Sequence, residues 1–235
     1  MTGDGRPFLT APRLAGSPWL VHGFGDAGWG EADLLAFAAS RDVRPVVMRQ
    51  VHSDIICRLE EAPARKPEGD ALMTNVPGLL LVIRTADCLP VLLVDPKNRA
   101  AAAVHCGWRG TEKRLLEKAV RSMSRAYGSE PAEMTAALGP CIGSACYEVG
   151  PEVREGFLRA GFPRRVLAGA PGRPGKFLLD LRAANIWLLE VSGLGRANVL
   201  NRGPVCTHCE PSLLSYRRNP GESRRMYNFI GLLIH

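Results

Sequence analysis

The chain has 235 residues, 46% of them hydrophobic and 23% charged, with a net charge of +7. This profile fits one soluble globular domain with a sizeable core. No apolar run approaches the ~18 residues that cross a bilayer, and the N-terminus lacks the basic start and apolar stretch of an export signal, so a cytoplasmic, membrane-free protein is expected. The positive charge lies mostly on scattered arginines, and Arg217-Arg218 and Arg224-Arg225 have no repeating aromatic pattern beside them. A solvated surface or a single anion site explains this better than a nucleic-acid face.

In chain order, hydrophobic periodicity and turn residues predict a helix over 31–40 and then strands over 46–51, 54–59, 79–84, 89–94 and 100–105. A helix over 111–127 follows, opened by Thr111-Glu112 and stopped by Gly128. Next come a strand over 134–138, helices over 151–160 and 180–192 (the last capped by Asp180), and strands over 198–202 and 226–232. The segment MRQVHSDIICRL (48–59) reads equally as a hairpin or as one bent strand, and AGAPGRPGK (168–176) as a surface loop. Strand and helix do not alternate regularly, which excludes a doubly wound parallel sheet. The expected class is α+β, a single domain over 1–235 with mixed β-sheets flanked by helices.

One stretch breaks the apolar pattern. RTADCLPV (84–91) places Arg84, Asp87 and Cys88 between two segments that read as buried strands. The strands LPVLLV and AAAAVH flank the turn DPKNR, where Asp-Pro suits a type I turn. A turn centred between Pro96 and Lys97 sets Cys88 directly opposite His105, about 5 Å apart at Cβ. A thiolate and an imidazole at that distance can share one metal ion. An odd-numbered loop would bring Cys106 opposite instead.

His22, His52, His208 and His235 are all candidates for a third ligand, and spacing does not choose among them. Seven cysteines without an export signal suggest thiols, metal ligands or a nucleophile rather than a disulfide framework. Cys206-Thr-His-Cys209 has CxxC spacing but no second pair, and is read as small buried thiols. Cys141 and Cys146 lie in the Gly-rich GPCIGSACYEVG, a loop that can approach a substrate closely; Cys141 has no neighbouring base to make it a nucleophile. Cys106 is expected to face away from His105.

QVHSD, GDALMTNVPGLLLVIRTADCLPVLLVDP, AAVHCGWRGT, LGPCIGSACYEVG and CTHCEPSLLSYRR, in that order, resemble the motifs of the YfiH-like family, also called the multicopper polyphenol oxidoreductase or laccase-domain family. The resemblance runs from about residue 45 to the C-terminus. It implies a YfiH-like sandwich and a zinc-dependent purine nucleoside phosphorylase with adenosine deaminase activity. It also implies a metal centre of His52, Cys88 and His105. Near the N-terminus, HGFGDAGWGEADLL lacks the arginine of the family's first motif and the following segment is shorter, so contacts made by that region do not carry over.

Two histidines and a cysteine leave a tetrahedral zinc with one open position, the form of a catalytic site. Activated water suits deamination of adenosine, and phosphorolysis needs a phosphate beside the ribose. Arg49, Arg84 and Arg109 each lie near one proposed ligand and suit phosphate; the plainer alternative pairs Arg84 or Arg109 with Asp87 or Asp70. Asp87 is also a candidate to orient a ligand histidine. The loop around Cys141 is the remaining expected substrate contact. The expected partners are a purine nucleoside (adenosine, inosine or methylthioadenosine) and phosphate. Two other functions compete: copper-dependent oxidation of phenols, disfavoured by only five histidines, and a cysteine hydrolase of peptidoglycan precursors using Cys88 and His105.

Overall fold

The computed structural model describes residues 8–201 and 205–234. The first half forms β1 (Phe8–Leu9), α1 (Pro12–Ala15), β2 (Leu20–Gly25), α2 (Glu31–Ser40), β3 (Arg44–Val47), β4 (Ile56–Leu59), β5 (Ala71–Thr74) and β6 (Leu79–Thr85). β7 (Leu89–Asp95), β8 (Ala100–Cys106), α3 (Trp108–Glu112), α4 (Leu115–Tyr127) and β9 (Thr135–Leu138) follow. Last come β10 (Glu148–Val149), α5 (Pro151–Arg159), β11 (Leu167–Gly169), β12 (Phe177–Leu179), α6 (Leu181–Val191), β13 (Val199–Asn201) and β14 (Met226–Leu232).

Two mixed sheets carry the fold, with strand orders β1-β2-β14-β6-β3 and β13-β9-β7-β8-β5-β4; a small third sheet has the order β10-β12-β11. Side-chain alternation stacks them into layers. Leu92 and Val94 of the six-stranded sheet pack with Leu81 and Ile83 of the five-stranded one. On the opposite face, Leu89, Val91 and Leu93 pack with Leu116, Val120 and Leu188 of α4 and α6. The outer face of the five-stranded sheet sets Leu80, Val82 and Phe229 against Leu34 of α2. Both faces of β6 and β7 are therefore covered, which is why each is a continuous apolar run.

The expected β7–β8 hairpin forms with a different register. Pro90 pairs with His105 and Asp95 with Ala100, so the loop is the four residues Pro96–Arg99. The buried Asp95 carboxylate sets it, accepting the N–H groups of Lys97 at 2.9 Å and Asn98 at 3.1 Å, while Arg99 adopts a left-handed φ of 46°. Cys88 is thus diagonal to His105 rather than opposite it. The shift is an even number of residues, so both remain on one face and Cys106 faces the helices.

The helix expected over 111–127 is two. Arg114, with φ 59°, separates α3 from α4. Its guanidinium bonds Glu117 and the Ala160 carbonyl and lies over the Trp187 ring, contacts invisible to local periodicity. Gly128 ends α4 with φ 69°, and the Asp180 carboxylate caps α6 through the Ala183 N–H at 2.8 Å, both as expected. β2 was not foreseen because two glycines and a histidine interrupt it. At Gly23 a Cβ would lie 2.5 Å from the Phe8 ring, so the strand is built around that absence.

Candidate metal and substrate site

Residues 48–59 form neither a hairpin nor one bent strand. β3 pairs with β6 in one sheet and β4 with β5 in the other, so the intervening segment crosses between sheets. The turn 86–88 joins β6 to β7 and crosses at the same end. His52 sits on the first crossing, Cys88 on the second, and His105 near the end of β8. Their ligand atoms lie within 4.8 Å of one another. That is the meaning of RTADCLPV: it is a turn between two buried strands, placed where they change sheet.

Asp70, just before β5 and fully buried, braces this group. Its Oδ1 lies 2.8 Å from His105 Nδ1, and its carbonyl accepts the His105 backbone N–H at 2.8 Å. The same carboxylate accepts the N–H groups of His52 at 3.1 Å and Ser53 at 2.5 Å, and the Ser53 hydroxyl at 2.7 Å. These bonds hold His52 at a left-handed φ of 57°. With Nδ1 held by Asp70, the Nε2 of His105 is left for a ligand. Burial pushes the Asp70 carboxyl up, but hydrogen bonds from His105 and Ser53 outweigh it and hold the group below its usual range.

Cys88 and His105 perturb each other. Burial favours the neutral thiol, yet the adjoining His105 and His52 imidazoles bring Cys88 down to about 6. For His105, burial opposes the charge, and Cys88 with Asp70 raises it to about 9. Gly107 closes the cradle: a Cβ there would lie 3.1 Å from Cys88 Sγ and 3.2 Å from His52 Cδ2. Two imidazoles and a thiol that readily ionises form a fitting donor set for a soft or borderline divalent ion.

The group opens on a cavity of about 500 Å³ whose wall includes Arg84, Arg109, Arg217 and Arg225. Arg109 lies 4.4 Å over the Trp108 ring, Arg217 5.4 Å over Tyr147 and Arg225 5.9 Å over Tyr216. The Arg84 Nε is buried without a hydrogen-bond partner among the described residues. Burial pushes the Tyr147 phenol well above its usual value, which keeps it a neutral donor.

Several expected placements differ. Arg49 is exposed in an ion pair with Glu68 at 2.9 Å and does not line the cavity. Cys141 is buried behind the wall, where Ile142 is the lining residue, and burial pushes its thiol up to about 11. Asp87 touches neither ligand histidine. Its two oxygens accept the Thr207 hydroxyl at 2.6 Å and the Arg217 N–H at 2.7 Å, fastening the C-terminal segment to the Cys88 turn. The bracing carboxylate is Asp70, and its partner is His105 rather than an arginine. His22 is buried in β2, where its Nε2 accepts the Ala11 N–H at 2.8 Å. His235 lies outside the described residues.

The reading of Cys206 and Cys209 as buried thiols is overturned. Cys209 is exposed and Cys206 only half-buried, because a turn at the surface carries both. Local reasoning also missed Tyr147, Trp108, Arg217 and Arg225. Trp108, Tyr147 and Arg217 fall inside quoted motifs, but only the fold shows them facing one cavity.

Residues 31–233 match the family described as multi-copper polyphenol oxidoreductase laccase. The chain belongs to this family. A purine nucleoside phosphorylase of Deinococcus radiodurans is 38% identical, covering 99% of this chain and 95% of the relative. The protein named adenosine deaminase RL5, from an unknown prokaryotic organism, is 36% identical over 83% of this chain and 78% of its own length. The crystal structure of YlmD from Geobacillus stearothermophilus superimposes with a TM-score of 0.86 at 28% identity, covering 98% of this chain and 97% of that one. The α+β sandwich is thus the fold of this family. No helix among the described residues is long and apolar enough to cross a membrane.

Proposed function

We propose that the protein is a zinc-dependent purine nucleoside phosphorylase that also deaminates adenosine. One juxtaposition carries this reading: a carboxylate-braced Cys/His/His group opens on a cavity walled by four arginines. The names borne by the Deinococcus relative and RL5 agree with it.

His52, Cys88 and His105 would hold the ion, which when bound supplies Lewis acidity and one open coordination position. The same donor set serves electron-transfer copper, to which a Met or Gln side chain would commonly add a weak further contact. No methionine lines the cavity, and the Gln50 amide is committed to the Arg84 backbone at both ends. Asp70 keeps His105 in one tautomer and orientation. The arginines bind phosphate and disperse charge as the glycosidic bond opens, with Arg109 and Arg217 preset by the rings beneath them. Trp108 and Tyr147 offer flat faces for a purine, and the neutral Tyr147 phenol can donate to it.

The lowered Cys88 thiol, with His105 and Asp70 in series, favours a second reading as a cysteine hydrolase acting on peptidoglycan precursors. One experiment separates the two. Zinc-loaded protein incubated with adenosine and phosphate is expected to release adenine and ribose 1-phosphate; without phosphate, inosine is expected to form slowly. Both activities should vanish on chelation and return with zinc. Failure to form either product, with thiol-dependent hydrolysis persisting after chelation, would overturn the nucleoside reading.

A further inference from the structure

A second group of soft ligands lies outside the proposed catalytic trio. Cys146, His208 and Cys209 present ligand atoms within 4.8 Å of one another, with the Cys146 and Cys209 sulfurs 3.4 Å apart. Cys206 opens the turn that carries His208 and Cys209, and its sulfur accepts the N–H of Gly143 in the loop of Cys146. The residues come from two loops, 143–147 and 206–209. We propose that these loops bind a second divalent ion of zinc-like chemistry through Cys146, His208 and Cys209, with Cys206 turning in as the fourth ligand.

The backbone is arranged for thiolates. The Gly143 N–H donates to Cys206 Sγ at 3.1 Å. Amide hydrogens around the first sulfur of a CxxC turn stabilise its negative charge and prearrange it for a metal. The turn itself is tight, since the Cys209 and Glu210 N–H groups both donate to the Cys206 carbonyl. Three sulfurs and one imidazole suit a tetrahedral ion with no open position, the closed form of a structural site. The two loops are already in register, because Cys141 pairs with Cys206 and the Thr207 N–H donates to the Cys141 carbonyl.

The placement gives the ion a role. Tyr147, next to Cys146, lines the cavity, and Thr207, between Cys206 and His208, bonds Asp87 beside Cys88. An ion here clips together two loops 63 residues apart that form one wall of the cavity. It fastens the wall without taking part in the chemistry.

Elemental analysis of full-length protein purified without added metal tests this, and does not depend on the proposed reaction. Wild type should carry close to two divalent ions per chain. Cys209→Ser, at an exposed position, should lose one, and Cys88→Ala should lose the other. Undiminished metal in Cys209→Ser would overturn the proposal. So would an intact mass about 2 Da low that reduction restores, since that marks a disulfide between Cys146 and Cys209. Should Cys209→Ser not fold, cobalt titration of Cys88→Ala protein leaves the cluster untouched. One equivalent with thiolate-to-cobalt absorption is expected, and the absence of that band would sink the site.

Discussion

The molecule has two cysteine–histidine groups built on opposite plans. His52, Cys88 and His105 come from three distant segments and converge only because two sheets end together. A single buried carboxylate, Asp70, supports both histidines, with Gly107 left bare beside Cys88 to make room. Cys206, His208 and Cys209 share one turn at the surface, joined by Cys146, and the Gly143 N–H supports the Cys206 sulfur. The first group opens on a cavity; the second lies at the surface, with Cys209 exposed. The difference teaches that ligand type alone does not tell a group open to a substrate from one that is not. Convergence from several segments, a carboxylate behind the histidine and free space in front do.

The harshest test is Cys88→Ala. Nucleoside turnover should fall to background and one ion should be lost, while the other stays and circular dichroism is unchanged. Loss of both ions would show that the two groups are a single cooperative unit.

Asp70→Asn removes the brace while leaving the donor set intact. Metal affinity at the trio should fall by ~10–100-fold, measured by competition with a chelator, as for other carboxylates that orient ligand histidines. The ion at Cys146 should bind as before. Equal weakening at both would erase the distinction drawn above.

Arg109→Ala should depress phosphorolysis more than deamination. Loss of one charge-assisted contact to phosphate costs about 1.5–3 kcal/mol, equivalent to roughly 10–100-fold in kcat/KM. Equal loss in both reactions would place Arg109 on the purine rather than the phosphate.

The smallest effect is expected at the far end of the same hairpin. Burial raises the Asp95 carboxyl, but hydrogen bonding from Ser129 and from Asn98 and Lys97 in its turn prevails and holds it below its ordinary value of 3.8. Its contribution to stability is therefore complete above that value and is lost as pH falls through the lower folded-state pKa. Asp95→Ala should cost about 1–3 kcal/mol in urea unfolding at neutral pH. The gap from wild type should shrink in strong acid, with kcat and metal content unchanged throughout.

What could be read from the sequence follows the range of the forces involved. Local signals placed the Gly128 stop, the Asp180 cap and the covered strands β6 and β7, since each depends on residues within a few positions. Cys88 and His105 were brought to one face by a hairpin argument that had the register wrong by an even step, and the parity saved it. Asp70 escaped because it touches His52 and His105 from 18 and 35 residues away. Cys146 escaped in the same way, its partner 63 residues distant. Arg114 broke a helix for contacts with α5 and α6 that no local pattern contains.

Gln50 lies at the point where the chain leaves the five-stranded sheet. Its side-chain amide donates to the Arg84 carbonyl at 2.8 Å and accepts the Arg84 N–H at 2.7 Å. Those are the two bonds another strand residue would have made, so the amide stands in for a peptide group. The backbone is thereby released early to travel toward the other sheet with His52, and the backbone N–H and C=O of Arg84 both keep a partner at the rim of the cavity. A glutamate here could accept but not donate, and a leucine could do neither. Either would oblige the chain to choose between a complete sheet edge and a histidine delivered to its neighbours.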